Sequence, residues 1–287
     1  MIKTISIIGG GQMGSRISLA CAMNGFKVKV YDKNPEFKQS TPKNIQYFID
    51  YLQASDRINE FQIKNVKNSV SYHDDLESAL KDSDLVSESI LEDIDAKKAV
   101  WSEISKYAAK NTILTTNTSS LMPSSFSSVI SNKANFCAFH FHDLFDARVV
   151  DIMPIKETDS KTVSALYDFA PEIGQVPIIL HKENPGYAFN AMLMPWLVSA
   201  CDLVRRGVSS PEEVNMCWVV NTGSVKGPIE LIDQVGLDLF HHILTASPDP
   251  VARENADFVK KNYIDKGDLG EKTGKGIMFG RESVKKA

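Results

Sequence analysis

The sequence predicts an α/β fold: a parallel sheet wound with helices, then an all-helical region. Two observations carry this. Short apolar segments alternate with longer stretches of helical period over the first 180 residues, the pattern of βαβ units. From about Gly186 onward the apolar residues recur at three and four, as in Leu193, Leu197, Val198, Cys201 and Val204.

In chain order, the strands are expected at Ile5 to Ile8, Val28 to Tyr31, Leu85 to Ser87, Ile113 to Thr116, Phe136 to Phe139, Val149 to Met153 and Val176 to Leu180. Each is a short apolar or alternating run rich in β-branched and aromatic residues. Pro195 falls inside a helical pattern that continues beyond it, so a kink is expected there rather than an end. The expected domains are 1–181 and 182–287.

The composition is that of a globular chain. Of its 287 residues, 43% are hydrophobic and 24% charged, with 16 glycines and 12 prolines, which leaves no room for disordered or fibrous classes. A net charge of −4 without a basic run argues against nucleic acid and acidic membranes, and favours a small-molecule partner. Cys21, Cys137, Cys201 and Cys217 are widely separated, without zinc-ligand or disulfide-framework spacing. A cytoplasmic protein without a metal is expected. No apolar run is long enough to span a bilayer, and the N-terminus lacks the form of a signal peptide.

The first chemical signal is Gly9-Gly10-Gly11-Gln12-Met13-Gly14, a G-x-G-x-x-G that follows a strand and opens a helix. Gly9 permits the tight turn, Gly11 lets backbone approach a pyrophosphate, and Gly14 lets helix and strand pack closely. The helix start, with Gln12 and Met13, offers unpaired N–H groups to phosphate. Asp32 ends the next strand, where a carboxylate accepts from a ribose 2′-hydroxyl and repels a 2′-phosphate. The reading is a Rossmann domain binding NAD, although FAD uses the same fingerprint.

Further motifs follow in order: Glu88-Ser89-Ile90-Leu91-Glu92-Asp93, Asn117-Thr118-Ser119-Ser120-Leu121, Phe139-His140-Phe141, Pro185-Gly186-Tyr187 with Asn190, Lys226-Gly227-Pro228-Ile229-Glu230-Leu231, and Thr273-Gly274-Lys275-Gly276. In this order they resemble the L-3-hydroxyacyl-CoA dehydrogenase family over nearly the whole chain, most closely a bacterial branch of 3-hydroxybutyryl-CoA dehydrogenases that includes a diketoreductase. The resemblance implies a Rossmann domain joined to a helical substrate and dimerisation domain, an active site in the cleft between them, a homodimer, and a place in fatty acid metabolism. It implies reversible hydride transfer between NAD and the 3-carbon of a 3-hydroxyacyl thioester. Ser119, His140 and Asn190 match the catalytic serine, histidine and asparagine. Glu92 and Lys97 match cofactor contacts, Asn117 matches a residue beside the nicotinamide, and Asp151 falls nearest to the glutamate that partners the histidine.

These residue types suit the chemistry. Oxidising a secondary alcohol needs a base near neutral pH, and His140 is the natural one. A carboxylate behind its ring would fix the tautomer and stabilise the imidazolium. Ser119 would hydrogen-bond the reacting oxygen without acting as a nucleophile, because hydride transfer needs no covalent intermediate. Asn190 would supply a neutral donor as negative charge develops.

The chain also departs from the family pattern. Phe141-His142-Asp143-Leu144 stands where Phe-Phe-Asn-Pro is typical, Asp151 is one carbon shorter than glutamate, and the intervening loop is one residue shorter. Asp143 and Asp146 therefore stay open as partners of His140. The basic helical hairpin that helps hold CoA is shortened to about Asn34 through Asn68, leaving Lys38, Lys43, Arg57, Lys64 and Lys67. The substrate is then expected to be an acyl-CoA of short or unusual chain, or else a non-CoA β-hydroxy or β-keto acid or ester. The altered loop also admits a dinucleotide-binding protein without catalysis.

Overall fold

The computed structural model describes residues 2–280. By contact the chain divides into two compact units, Met1–Ala188 and Phe189–Ala287. In the first, β1 (Thr4–Ile8), α1 (Gln12–Met23) and β2 (Lys27–Tyr31) are followed by the helical pair α2 (Phe37–Gln53) and α3 (Glu60–Ser69). Then come β3 (Val70–Tyr72), α4 (Leu76–Leu80), β4 (Leu85–Glu88), α5 (Ile94–Tyr107), β5 (Ile113–Thr116), β6 (Phe136–Phe141), β7 (Val149–Pro154), α6 (Ser160–Glu172) and β8 (Val176–Ile179).

These strands form one eight-stranded sheet ordered β3-β2-β1-β4-β5-β6-β7-β8. The first six follow the order of a doubly wound nucleotide-binding sheet, whose chain direction of winding reverses between β1 and β4. The crevice outside the carboxyl ends of those two strands is where such sheets take ligands. Both sheet faces are covered, as parallel strands require. Ile5, Ile7, Val28 and Leu166 belong to one buried cluster. Ile8, Val86, Trp101 and Phe136 belong to another. Trp101 meets Phe136 edge-on, with ring centroids 5.1 Å apart, a contact worth about 1 kcal/mol beyond its burial.

The sheet differs from the expectation in three respects. β7 runs antiparallel to β6. The connection 142–148 is a short loop, whereas a parallel return needs a crossover of a dozen or more residues. The strand β3 is additional; its three residues lie below any window in which alternation can be counted. β6 also continues past Phe139, so His140 stands within the strand, directly opposite Asp151.

The second unit is helical: α7 (Phe189–Arg205), α8 (Pro211–Thr222), α9 (Pro228–Val235), α10 (Leu237–Ala246) and α11 (Pro250–Asn262). Helix α7 runs through Pro195. Helix α8 starts with a capping box between Ser210 and Glu213 and stops at Gly223 in the left-handed region, each device satisfying groups that a helix end leaves open. Leu197, Cys201, Ile229, Phe240 and Val259 form the core. Buried Asp233 accepts the backbone N–H groups of Ile277, Met278 and Phe279 at 2.8, 2.6 and 2.8 Å, tying the last described segment to α9. No helix among the described residues is long and apolar enough to cross a membrane.

Candidate functional site

The glycine loop leaves β1 with Gly9 at φ 107°. A Cβ there would lie 2.5 Å from the Ser89 carbonyl oxygen, and one at Gly14 would lie 1.8 Å from the Gly9 oxygen. Both positions therefore require glycine for packing. At Gly11 a Cβ would meet nothing within 4 Å, so the loop leaves open space there. Gly11 also caps α1 without a side-chain hydrogen bond, so the first N–H groups of the helix at Gln12 and Met13 are not taken by a side-chain cap. Asp32, just past β2, accepts from Gly10 N–H at 2.7 Å and from Asn34 N–H at 2.9 Å, one on each oxygen. A carboxylate has about four acceptor sites, so capacity remains for a ribose hydroxyl.

A cavity of about 310 Å³ brings together Met13, Glu92, Lys97, Asn117, Ser119 and His140. It also includes His142 and Ser89, and the buried Ser89 hydroxyl oxygen has no partner among the described residues. That orphan oxygen, the open space at Gly11 and the uncapped helix start are what a bound dinucleotide would complete. The chain fits the cofactor.

Asp151 is the carboxylate that faces His140, across the β6–β7 pair. His140 Nδ1 lies 3.4 Å from Asp151 Oδ2, while His142 Nε2 lies 2.6 Å from the same oxygen. His142 follows β6 but continues its ladder, donating its N–H to Val149 at 3.2 Å, so it shares a sheet face with His140. Burial works against ionised Asp151, yet the two imidazoles outweigh it and hold the carboxyl below its ordinary value. The other two candidates are engaged elsewhere. Asp143 pairs with Arg16 at 2.5 Å, and Asp146 with Arg57 at 2.7 Å.

Lys97 is 1% exposed and lies 2.7 Å from Glu88 and 3.3 Å from Glu92. Buried Glu88 also accepts from Thr116 Oγ1 at 2.7 Å and from the Ile90 N–H at 2.9 Å, so its charge is well provided for. Glu92 reaches over the segment 118–121, accepting from the Ser119 and Ser120 N–H groups at 2.8 Å each and from Thr118 Oγ1 at 2.5 Å. Burial opposes its charge, but these donors and Lys97 prevail and depress the Glu92 carboxyl to about 2. Ser119 itself is exposed and lines the cavity. Asn117 Oδ1 accepts from Phe141 N–H at 2.8 Å, joining the ends of β5 and β6.

Tyr187 stacks on His140, with ring centroids 4.4 Å apart and planes 20° from parallel. Its hydroxyl donates to the Thr118 carbonyl at 2.6 Å, linking the ring's support to the Ser119 loop. Asn190 stands on the first turn of α7, in the second unit.

Sequence reading gave no role to His142, Glu88 or Tyr187. Only His142 carried a local signal, its i+2 spacing from His140 on a strand. The sequence shows no metal-ligand spacing, but the fold sets donor atoms of His140, His142 and Asp151 within 4.8 Å of one another.

Comparison with known proteins agrees with this geometry. Residues 4–184 match the family description "3-hydroxyacyl-CoA dehydrogenase, NAD binding domain", and residues 186–279 match its C-terminal domain. The mitochondrial hydroxyacyl-coenzyme A dehydrogenase of Rattus norvegicus is 31% identical, over 96% of this chain and 91% of the relative. A solved diketoreductase is 34% identical with a TM-score of 0.91, over 96% of this chain and 98% of the other. The (S)-3-hydroxybutyryl-CoA dehydrogenase of Ralstonia eutropha is 26% identical with a TM-score of 0.86, over 98% of this chain and all of the other (100%). With both of its domains matched, the chain belongs to the 3-hydroxyacyl-CoA dehydrogenase family of NAD-dependent oxidoreductases.

Proposed function

We propose that this chain interconverts a 3-hydroxyacyl-CoA of short or unusual acyl chain and its 3-ketoacyl-CoA, with His140 as the base. The observation that carries the reading is His140 backed by Asp151 in the same cavity as Ser119 and Asn117, beside the glycine loop. Bound NAD would supply the acceptor for the hydride, with its electron pair, that leaves the alcohol carbon. Asp151 faces Nδ1, which keeps a proton there and leaves Nε2 to accept the hydroxyl proton. The resulting imidazolium is stabilised by the buried carboxylate. Tyr187 holds the ring plane, and Glu92 fixes the backbone that presents the Ser119 hydroxyl to the reacting oxygen. Asn190, on the first turn of α7, is read as a neutral donor to developing negative charge.

Cofactor binding falls to Gly9, Gly11, Gln12, Met13, Gly14 and Asp32, with Asn117 at the nicotinamide end. With its oxygen held by Phe141 N–H, the Asn117 amide nitrogen remains as donor. Glu92 and Lys97 serve the cofactor by shaping the cavity wall. The first domain, residues 1–181, takes NAD, while 182–287 serves substrate binding and a homodimer. A cytoplasmic setting goes with this reading.

A second reading replaces the thioester with a free β-keto acid or ester. Two observations favour it. Lys38 and Arg57 of the hairpin are committed to Asp74 and Asp146, and the diketoreductase is a near structural neighbour. The test follows NADH absorbance with acetoacetyl-CoA, acetoacetate and a β-diketo ester at equal concentrations. Preference for the thioester supports the first reading, and turnover of the acid or ester alone replaces it with the second. Tight NADH binding with no turnover of any of the three defeats both.

A further inference from the structure

We propose that His140, His142 and Asp151 form a binding site for a borderline transition-metal cation of the Zn²⁺ type, and that its occupation withdraws His140 from service as a base. The donors are set by the sheet rather than by a flexible loop. His140 lies within β6, His142 extends its ladder by one residue, and Asp151 is paired to His140 in the antiparallel register. All three side chains therefore emerge from one face. A histidine with a carboxylate is a catalytic dyad; the second imidazole makes the group a chelate.

The three donor atoms lie within 4.8 Å of one another, so the group must tighten by a modest shift to close on such an ion. Tetrahedral Zn²⁺ with ligands at 2.0–2.1 Å places neighbouring donor atoms roughly 3.3 Å apart. His140 Nδ1 and Asp151 Oδ2 are 3.4 Å apart. His142 Nε2 and the same oxygen, at 2.6 Å, are closer than that edge and must open by less than about 1 Å. Stacking by Tyr187 fixes the His140 ring, and little ordering is left for the metal to impose. His140 and His142 both line the cavity, whereas Asp151 lies buried behind them. Two imidazoles and one carboxylate favour Zn²⁺, Co²⁺ or Ni²⁺ over Mg²⁺ and Ca²⁺, which require oxygen ligands.

The effect on the base follows from the tautomer. Neutral imidazole carries one N–H. A metal on Nδ1 places that proton on Nε2, the nitrogen that must accept the hydroxyl proton. It also takes Asp151 away from the ring. The inhibitory effect rests on the reading of His140 as base, whereas binding does not.

The test uses metal-depleted full-length protein carrying Cys217→Ser, because Cys217 is an exposed thiol able to bind metal by itself. Co²⁺ is titrated and its visible absorption recorded, Zn²⁺ affinity is measured by calorimetry, and dehydrogenase activity is followed against Zn²⁺ occupancy. One equivalent should bind, with intense absorption typical of four- or five-fold coordination. His142→Phe and Asp151→Asn should each weaken Zn²⁺ at least tenfold, and millimolar Mg²⁺ should not compete. His142→Gln, which keeps a polar side chain, guards against misfolding of the phenylalanine variant, with circular dichroism as the check. No Co²⁺ absorption, or Zn²⁺ affinity unchanged in folded variants, overturns the site whatever the activity. Stoichiometric binding with undiminished activity upholds the site and overturns His140 as the base.

Discussion

His142 holds Asp151 more closely than His140 does: its Nε2 is 2.6 Å from Oδ2, against 3.4 Å for His140 Nδ1. One buried carboxylate therefore serves two imidazoles, and the consequences of removing each partner differ. Asp151→Asn takes the charge from behind the base and permits the wrong tautomer, so kcat should fall by about 10²–10⁴. His142→Phe leaves the His140–Asp151 pair in place, and kcat in metal-free buffer should change by less than about tenfold. Equal losses in steady-state kinetics would rule out Asp151 as the partner that matters to His140.

Gly11 and Gly14 separate binding from folding. A methyl at Gly14 collides with the Gly9 carbonyl, whereas at Gly11 it meets only open space. Gly14→Ala should therefore lower stability by about 1–3 kcal/mol and weaken NADH binding as well. Gly11→Ala should leave Tm unchanged while weakening NADH at least tenfold, read by fluorescence titration. Retained NADH affinity in Gly11→Ala would remove that glycine from the cofactor site.

Glu92 supplies the pH dependence. Its folded-state value of about 2 lies below the unfolded carboxylate value of roughly 4.3. A depressed acid contributes stability that is fully present above the unfolded value and is lost as pH falls toward the folded one. Wild type should thus melt higher than Glu92→Gln at pH 7, with the gap closing between about pH 4.5 and 2. A gap that persists at pH 2 would show that Glu92 acts through packing instead of charge.

Lys64 and Lys67 on α3 are exposed and form no ion pair among the described residues. With exposed Lys43, they are the hairpin cations left for an acyl-CoA phosphate once Lys38 and Arg57 are paired. Reversing both charges should raise KM for acetoacetyl-CoA several-fold at low salt and leave KM for free acetoacetate unaltered. An unchanged thioester KM would eliminate these contacts and favour the non-CoA substrate.

The glycine loop, Asn117, Ser119 and His140 stood out as candidates in the sequence because each lies in a short contiguous motif, and Asp32 because it ends the next strand. The union of His142 with Asp151 could not be read there, since it depends on strand register, although the connection between Phe139 and Val149 was already too short for a parallel return. Nor could the burial of Lys97. It is decided by Glu88, which sits one turn of the fold away at the end of β4 and was visible only as one letter of a motif. The shortened loop after His140 cast doubt on the dyad in the sequence, because spacing along the chain was the only ruler available.

That ruler is replaced by pairing. His140 and Asp151 meet because β6 and β7 are laced together at that rung, while residues 142–148 turn the chain and are anchored on their own account, with Leu144 and Phe145 buried in the core and Asp143 and Asp146 paired to Arg16 and Arg57. A change of length in the turn leaves that rung in place but disturbs these anchors. A single residue added inside β7, before Asp151, would instead send the carboxylate to the opposite face of the sheet. The machinery is indexed by rungs of the ladder, whereas the turn answers to the core beneath it.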